Sequence, residues 1–246
     1  MASISTNKRR RTAADTLHIR DLPVGFIADV SSYLPKPSRA LLSVAFSAPS
    51  SSWKNNNLMH RLSPISTSII SASRWDILDF EDIEKELTSK LTDDDIHAVL
   101  KCIRAQDVLK RLKLCGCINI IGIGLHPLQG SIVLEQIDLS LVRKYENSNT
   151  ESEPKISQEV VVPILDSIIS ADGCSLKYIQ FPHKWRGIGT HNVSGEMHPI
   201  IQFRTRFNQY MYSRTSVGLD CSKCNERMRD YQEWLNGWFE NYDNLL

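Results

Sequence analysis

The pair Cys221-x-x-Cys224 has the spacing of two zinc ligands on one tight turn. A structural zinc ion takes four ligands, and neither cysteine nor histidine follows Cys224 in the sequence. His191 and His198 lie upstream and would complete the site only through an unusual arrangement. Cys221 and Cys224 are therefore the candidate metal ligands of an incomplete site, and zinc is the only cofactor that the sequence suggests.

Other residue types that do chemistry do not form complete motifs. Cys115-x-Cys117 has no second pair nearby, so we interpret both cysteines as small buried hydrophobic residues. Gly122 and Gly124 belong to a glycine-rich stretch, but Pro127 stands where a phosphate-binding loop would need its last glycine. The seven histidines show no Ser/His/Asp order and no H-E-x-x-H helix. We therefore expect a protein without catalytic residues.

Composition narrows the class of protein further. The 246 residues carry a formal net charge of +1, with 41% hydrophobic and 23% charged residues, as in ordinary globular domains. A balanced charge disfavours nucleic acid and acidic membrane surfaces as partners. No apolar run approaches the roughly 20 residues of a membrane-spanning helix. The N-terminus lacks the apolar stretch of a secretory signal, so we expect the cytoplasm, the nucleus or both.

The two ends of the chain are the least regular parts. Residues 1–17 are polar and aperiodic, which predicts a disordered tail, and their basic cluster at 8–11 is either an import signal or a plain basic tail. Aromatic and arginine residues alternate at 203–214, which suits either nucleic-acid stacking or a partly buried amphipathic helix. The balanced charge favours the helix. Residues 191–246 as a whole have no predicted fold.

Short helices are predicted directly after the tail. One face of the first helix has apolar residues at i, i+4, i+7 and i+8, namely Phe26, Val30, Tyr33 and Leu34. Pro23 suits its first turn, and Pro35 and Pro37 end it. Ser38 is the predicted N-cap of a second helix, and a third contains Trp53. Their apolar residues exceed what one packing face absorbs, so these helices either cap a neighbouring domain or dock on another protein.

A repeated pattern of strands and helices follows. Four segments share the spacing L-x-x-L-x-L and predict strands: Trp75-x-x-Leu78-x-Phe80, Leu109-x-x-Leu112-x-Leu114, Leu134-x-x-Ile137-x-Leu139 and Leu176-x-x-Ile179-x-Phe181. Between these segments, apolar residues recur with helical spacing at 96–103 and at 161–168, which predicts two helices, the first of them capped by Thr92. Residues 118–128 predict about one turn of helix. Approximate copies of this kind indicate a curved stack, although a doubly wound α/β enzyme shows a similar alternation.

These patterns divide the chain into five parts. They are a disordered basic tail (1–17), a three-helix module (18–60), a Ser-rich linker (61–74), a repeat-like domain with a polar insertion at 143–157 (75–190) and a C-terminal segment of uncertain fold (191–246). The helical module is too small to be stable without a neighbour or a partner.

The N-terminal module resembles an F-box, the motif that docks on the Skp-type adaptor of SCF ubiquitin ligases. The resemblance rests on Leu22-Pro23, Phe26, Ile27, Val30, Tyr33-Leu34, Ser38-Arg39, Leu41-Leu42, Val44 and Trp53. The chain departs from the pattern in its proline-rich break and in the serines ahead of the tryptophan. The resemblance implies an adaptor interface formed by Leu22, Pro23, Phe26, Ile27, Val30, Leu41 and Leu42.

Residues 109–140 resemble the cysteine-containing subtype of leucine-rich repeat. The matching positions are Leu109, Leu112, Leu114, Cys117, Ile120, Gly124, Leu125, Leu128, Leu134, Ile137, Leu139 and Ser140. The two resemblances imply an α/β fold in which a short all-helical F-box module precedes an irregular, ribonuclease-inhibitor-like repeat solenoid. They also imply a non-catalytic subunit of a cullin-based ligase that presents an unknown protein substrate. The alternative is a leucine-rich repeat scaffold whose helices only cap the stack.

Overall fold

The computed structural model describes residues 22–47, 64–71, 74–141, 154–185 and 197–216. The chain separates into two compact units, Met1–Arg74 and Trp75–Leu246. The predicted tail, the helix around Trp53, most of the 143–157 insertion and Cys221 and Cys224 lie outside the described residues. No helix in the described ranges is both long enough and apolar enough to cross a membrane.

The first unit contains three helices, α1 (Val24–Ser32), α2 (Lys36–Phe46) and α3 (Pro64–Ser71). Helix α1 begins at Val24, slightly later than predicted, because Pro23 is its N-cap and not a residue of its first turn. Helix α2 begins earlier than the predicted Ser38 cap, because Pro37 fits within the first turn, where a backbone amide hydrogen is not needed. The core of the unit is small. It consists of Ile27, Phe46 and Ile69, with Leu22, Leu42 and Ile65 packed against them.

Helix α3 lies in the segment interpreted as a Ser-rich linker, and this corrects that interpretation for residues 64–71. Ile65 and Ile69 are one helical turn apart and both pack into the core. Ser66 is fully buried, and its hydroxyl donates a hydrogen bond of 2.8 Å to the Ser43 carbonyl of α2. Ser47 donates to the same carbonyl at 3.0 Å. The serines do not disrupt α2 or α3. Their side chains are small enough for the two helices to approach closely, and their hydroxyl groups donate to backbone carbonyls.

The second unit combines helices with a four-stranded parallel sheet. Its strands are β1 (Ile77–Asp79), β2 (Arg111–Lys113), β3 (Gln136–Asp138) and β4 (Tyr178–Gln180), paired in chain order. The central residues Leu78, Leu112, Ile137 and Ile179 lie side by side in register. All four predicted L-x-x-L-x-L segments are therefore strands, and the middle position of each motif occupies the same row of the sheet.

Helices connect the strands. They are α4 (Lys85–Thr88), α5 (Asp93–Cys102), α6 (Ala105–Val108), α7 (Gln158–Ile169) and 3₁₀ segments at Phe80–Asp82, Ile123–Leu128 and His183–Trp185. The predicted Thr92 cap is confirmed, because Thr92 and Asp95 form a reciprocal capping box. Ile96, Val99, Leu100 and Ile103 of the predicted stripe are all buried, as are Val161, Ile164, Leu165 and Ile168 of α7. The short 3₁₀ turn at Ile123–Leu128 matches the predicted single turn.

Asp93 fastens α5 to the glycine-containing loop that follows β2. Its carboxylate accepts backbone hydrogen bonds from Ile121 (2.7 Å), Gly122 (2.9 Å) and Gly124 (2.8 Å). The loop that superficially suggested phosphate binding thus directs its amides at a carboxylate of the same chain. Gly124 packs so closely that an added Cβ would lie 2.5 Å from the Asp93 carbonyl oxygen.

The end of the predicted polar insertion is packed rather than exposed. Ile156 is buried, and the amides of Lys155 and Ser157 donate hydrogen bonds to the carbonyls of Ile118 and Ile121. The prediction of an exposed loop over 143–157 is therefore wrong for Ile156, whereas Lys155 is exposed as predicted. Although this segment is mostly polar, the Ile156 side chain and two backbone hydrogen bonds hold it against the preceding loop.

A long helix, α8 (Pro199–Ser216), lies in the segment that had no predicted fold. Ile200, Phe203 and Phe207 are buried on one side of it, which confirms the amphipathic helix predicted over 203–214. Arg206 pairs with Asp166 of α7, with 2.9 Å from Nε to Oδ1. Tyr210 donates to the Cys174 carbonyl at 2.9 Å. Burial, together with the nearby Cys174 side chain, raises the pKa of Tyr210 to about 12.

Replacing Gly124 tests the close contact with α5. Gly124→Ala is expected to reduce the free energy of unfolding by about 1 to 3 kcal/mol, because the new methyl group meets rigid backbone of Asp93. Urea unfolding followed by circular dichroism measures the change. Gly25→Ala, whose methyl group would meet nothing within 4 Å, is the control and should not destabilise the protein. Equal stability of Gly124→Ala and the wild type would contradict the packing described.

Candidate protein-binding surfaces

The first candidate surface is an apolar stripe on α1. Phe26, Val30 and Tyr33 follow one another at i, i+4 and i+7, and their side chains are 54%, 46% and 88% exposed. Ile27 and Ser31, on another side of the helix, are buried. We call Phe26, Val30 and Tyr33 the α1 stripe. Large apolar side chains aligned in this way are typical of surfaces that bind another protein.

The other predicted interface residues are less exposed. Pro23 is exposed at the start of α1, and Leu41 is half-buried. Leu22 and Leu42 are half-buried and pack against the core of the first unit. Ile27 is only 2% exposed within that core, and this corrects its assignment to the interface. The physical reason is that Ile27 lies about 100° around the helix from Phe26, so the two side chains cannot share one face.

Tyr33 is the residue that the sequence-based assignment of the interface missed. It is the most exposed large hydrophobic residue in the described part of the chain. Its place in the i, i+4, i+7 pattern is the signal that identifies it, since the pattern groups it with Phe26 and Val30. Val24 is also partly exposed, at 38%.

Arg39 holds the end of α1 in place. Its Nε donates to the Ser31 carbonyl at 2.9 Å, and its Nη2 donates to the carbonyls of Ser32 (2.7 Å) and Leu34 (3.0 Å). These carbonyls lie at or just beyond the helix C-terminus, where a positive charge is favourable. Arg39 therefore links α2 to the last turn of α1 and fixes the position of Tyr33 relative to the rest of the stripe.

The second candidate surface is the solvent-facing side of the sheet. Side chains alternate between the two faces of a strand, so the central residue of β1, β2 and β3 is buried and its two outer neighbours are not. In β4 the central Ile179 is half-buried and Gln180 is buried. The outer residues are Ile77, Asp79, Arg111, Lys113, Gln136, Asp138, Tyr178 and Gln180. They line an open cavity of about 660 Å³. We call this surface the sheet face.

Carboxylates surround Lys113 at one end of the sheet face. The Lys113 ammonium forms an ion pair with Glu81 and lies 3.8 Å from Asp79 Oδ2. Burial by itself would lower the pKa of Lys113, but the hydrogen bond with Glu81 and the charges of Asp79 and Glu81 raise it overall. Asp138 is the next strand's residue in the same row. Burial raises the pKa of Asp138, despite the hydrogen bond of 2.9 Å from the Ser140 amide to Oδ1.

Cations predominate at the opposite end of the sheet face. Glu135 Oε2 lies 3.1 Å from the Lys177 ammonium, and Glu135 Oε1 lies 3.5 Å from that of Lys110. The hydrogen bond from Lys177, together with the two positive charges, lowers the pKa of Glu135. Arg111 is exposed on the inner strand β2 beside this group. The sheet face therefore has a polarity along the strand direction, basic at the start and acidic at the end.

A metal site receives no support from the geometry. In the ranges that the structure describes, no three histidine, cysteine, aspartate or glutamate side chains are grouped to hold an ion. Cys115 and Cys117 are free thiols, and both are buried. Cys221, Cys224 and His191 lie outside those ranges, so the zinc prediction is not tested there. Comparisons of the chain with models of protein families, with curated proteins and with solved structures found no match.

The different roles of two adjacent residues give a stability test. Ile27→Ala is expected to cost about 2 to 5 kcal/mol of unfolding free energy, because it removes a buried side chain from a small core. Phe26→Ala should cost less than about 1 kcal/mol, because Phe26 is largely exposed. Thermal and urea denaturation measure both. The assignment of faces on α1 is wrong if Phe26→Ala proves the more damaging change.

Asp138 and Glu135 predict opposite pH effects. Asp138 has a raised pKa in the folded state, so it adds stability as the pH falls through that pKa, and Asp138→Asn removes this gain. The free energy of unfolding of Asp138→Asn, compared with that of the wild type, should thus be highest near pH 7 and lower near about pH 4. Glu135 has a lowered pKa, so its contribution is present above the carboxyl range and lost on acidification. Urea titrations of Asp138→Asn and Glu135→Gln across this range should therefore show trends of opposite sign.

Proposed function

We propose that the protein is an F-box substrate receptor that docks on the Skp-type adaptor of an SCF ubiquitin ligase. The observation that carries this proposal is the exposed α1 stripe within a segment that resembles an F-box. Phe26, Val30 and Tyr33, which form the stripe, all belong to the residues of the resemblance as well. Burying exposed aromatic and aliphatic side chains is how interfaces of this type gain much of their affinity.

The substrate-presenting part of the proposal is an irregular, short leucine-rich repeat solenoid formed by the second unit. Support comes from the four in-register strands, because each strand contains the middle residue of one L-x-x-L-x-L motif and these residues form one row. The connections differ in length and include both helices and 3₁₀ turns, so the copies are unequal. A repeat domain of this kind offers its strand surface for protein binding.

The proposed mechanism is positional. The chain would hold a protein substrate near a ubiquitin-charged enzyme that another subunit of the cullin-based ligase carries. The rate enhancement then arises from proximity, and the chain itself needs no catalytic group. The competing proposal is a leucine-rich repeat scaffold in which the N-terminal helices only cap the stack. The two proposals differ in what the α1 stripe contacts, so a charge placed in the stripe separates them.

The test is capture of the full-length chain by an immobilised Skp-type adaptor. Phe26→Asp is expected to reduce capture at least about tenfold, because a carboxylate replaces an apolar anchor in the interface. The variant should unfold at nearly the wild-type temperature, because Phe26 is largely exposed and an acidic residue is favourable in the first helical turn.

Gly25→Asp is the matched control, since it places the same charge on the same turn of α1, about 100° away from Phe26. Its capture should equal that of the wild type. Absence of wild-type capture, or equal capture of Phe26→Asp, would overturn the docking proposal. A large loss of thermal stability in Phe26→Asp without any loss of capture would favour the capping scaffold instead.

A further inference from the structure

The sheet face contains an arginine that is not used by the fold. Arg111 is exposed at the start of β2, one of the two inner strands, and within the described residues its guanidinium has no ion-pair partner. Its neighbours in the same row are Ile77 on one side and Gln136 on the other, and neither is charged. An unpaired guanidinium beside an open cavity is well suited to bind a carboxylate with two parallel hydrogen bonds.

The next outward row of the sheet has the opposite charge. It contains Asp79, Lys113 and Asp138 side by side, and Glu81 also pairs with Lys113. Three carboxylates thus surround one ammonium group, which leaves an excess of negative charge. Burial is the main cause of the raised pKa of Asp138, and the neighbouring charge of Asp79 raises it further. A cationic side chain of a ligand would supply the missing charge.

The spacing of the two rows defines the ligand. Arg111 and Lys113 are two residues apart on one strand, which places the rows about 7 Å from each other. Residues i and i+2 of an extended peptide project from the same side with the same spacing. Consider a peptide segment that lies along β2 and contains a basic and an acidic residue separated by one residue. Its two charged side chains would reach the two rows of the sheet at the same time.

We propose that the sheet face binds an extended protein segment that contains a basic and an acidic residue at positions i and i+2. The acidic side chain binds Arg111, and the basic side chain binds Asp79 and Asp138. Ile77 and Tyr178 lie at the two ends of the Arg111 row and provide apolar contact for the flanking residues. This inference rests on the proposed function, because it names the substrate class of the proposed receptor.

The test uses labelled synthetic peptides and the full chain at low ionic strength. The probe is a neutral Gly/Ser peptide that contains the sequence Arg-Ala-Asp at its centre. The control peptide contains Arg-Asp-Ala, which has the same composition and charge but projects its charges from opposite sides. Fluorescence anisotropy should show at least about fivefold tighter binding of the first peptide. Equal binding of both peptides would overturn the proposal.

Charge reversal of the protein identifies the site. Arg111→Glu should lose the preference for Arg-Ala-Asp and instead prefer Arg-Ala-Lys, because the reversed residue now attracts a cation. Lys90→Glu is the matched control, since Lys90 is exposed and does not line the cavity, and its peptide preference should remain that of the wild type. If Arg111→Glu keeps the wild-type preference, the peptide does not bind the sheet face and the proposal is wrong.

Other ligands would give a different pattern. Tightest binding of an all-acidic peptide, or of a single-stranded oligonucleotide, would indicate a polyanion site and contradict the proposal. The peptide measurement contains no adaptor, and adaptor capture contains no peptide. Arg111→Glu should still be captured by the adaptor, so failure of the peptide test leaves the docking proposal to be judged by its own experiment.

Discussion

The length of the strands is the constraint on which the second unit depends. In β1, β2 and β3 the central side chain faces the core and the two outer side chains do not, so one apolar residue anchors each of these strands. Leu78, Leu112 and Ile137 are each at most 1% exposed and meet this requirement. The outer residues of β1, β2 and β3 are exposed or half-buried, whereas Gln180 at the end of β4 is buried. The sheet face can therefore be polar and charged without a cost to the core.

The connections tolerate irregular lengths because polar side chains fasten them. Asp93 satisfies three loop amides at once, so the loop after β2 keeps its shape although it contains little regular structure. In the first unit, Ser43 and Ser66 join α2 to α3 in the same manner. Hydrogen bonds of this kind contribute modestly in net stability, but leaving such buried groups unpaired would be costly. They set where the connecting segments lie, while the apolar rows supply most of the driving force.

Helix α1 combines two functions on adjacent residues. Ile27 faces the small core, while Phe26 faces solvent, and the 100° step of the helix separates them. The first unit has few buried side chains in its described part, so a partner that covers the α1 stripe would add substantially to its apolar burial. Arg39 bonds to the last turn of α1, which gives the stripe a defined geometry in the unbound chain. Preorganisation of this kind reduces the entropic cost of association.

The sequence by itself determined the local elements. The L-x-x-L-x-L motifs located all four strands, and apolar periodicity with Thr92 located α5, because a strand or a helix imposes its own period on buried positions. The sequence did not determine which of two adjacent apolar residues faces inward, as Ile27 and Phe26 illustrate. Nor did it show that a Ser-rich segment folds as α3. The charge polarity of the sheet face also required the tertiary structure, since parallel pairing aligns residues that are far apart in the chain. Side-chain direction and cross-strand neighbours follow from packing between elements, and no local pattern encodes them.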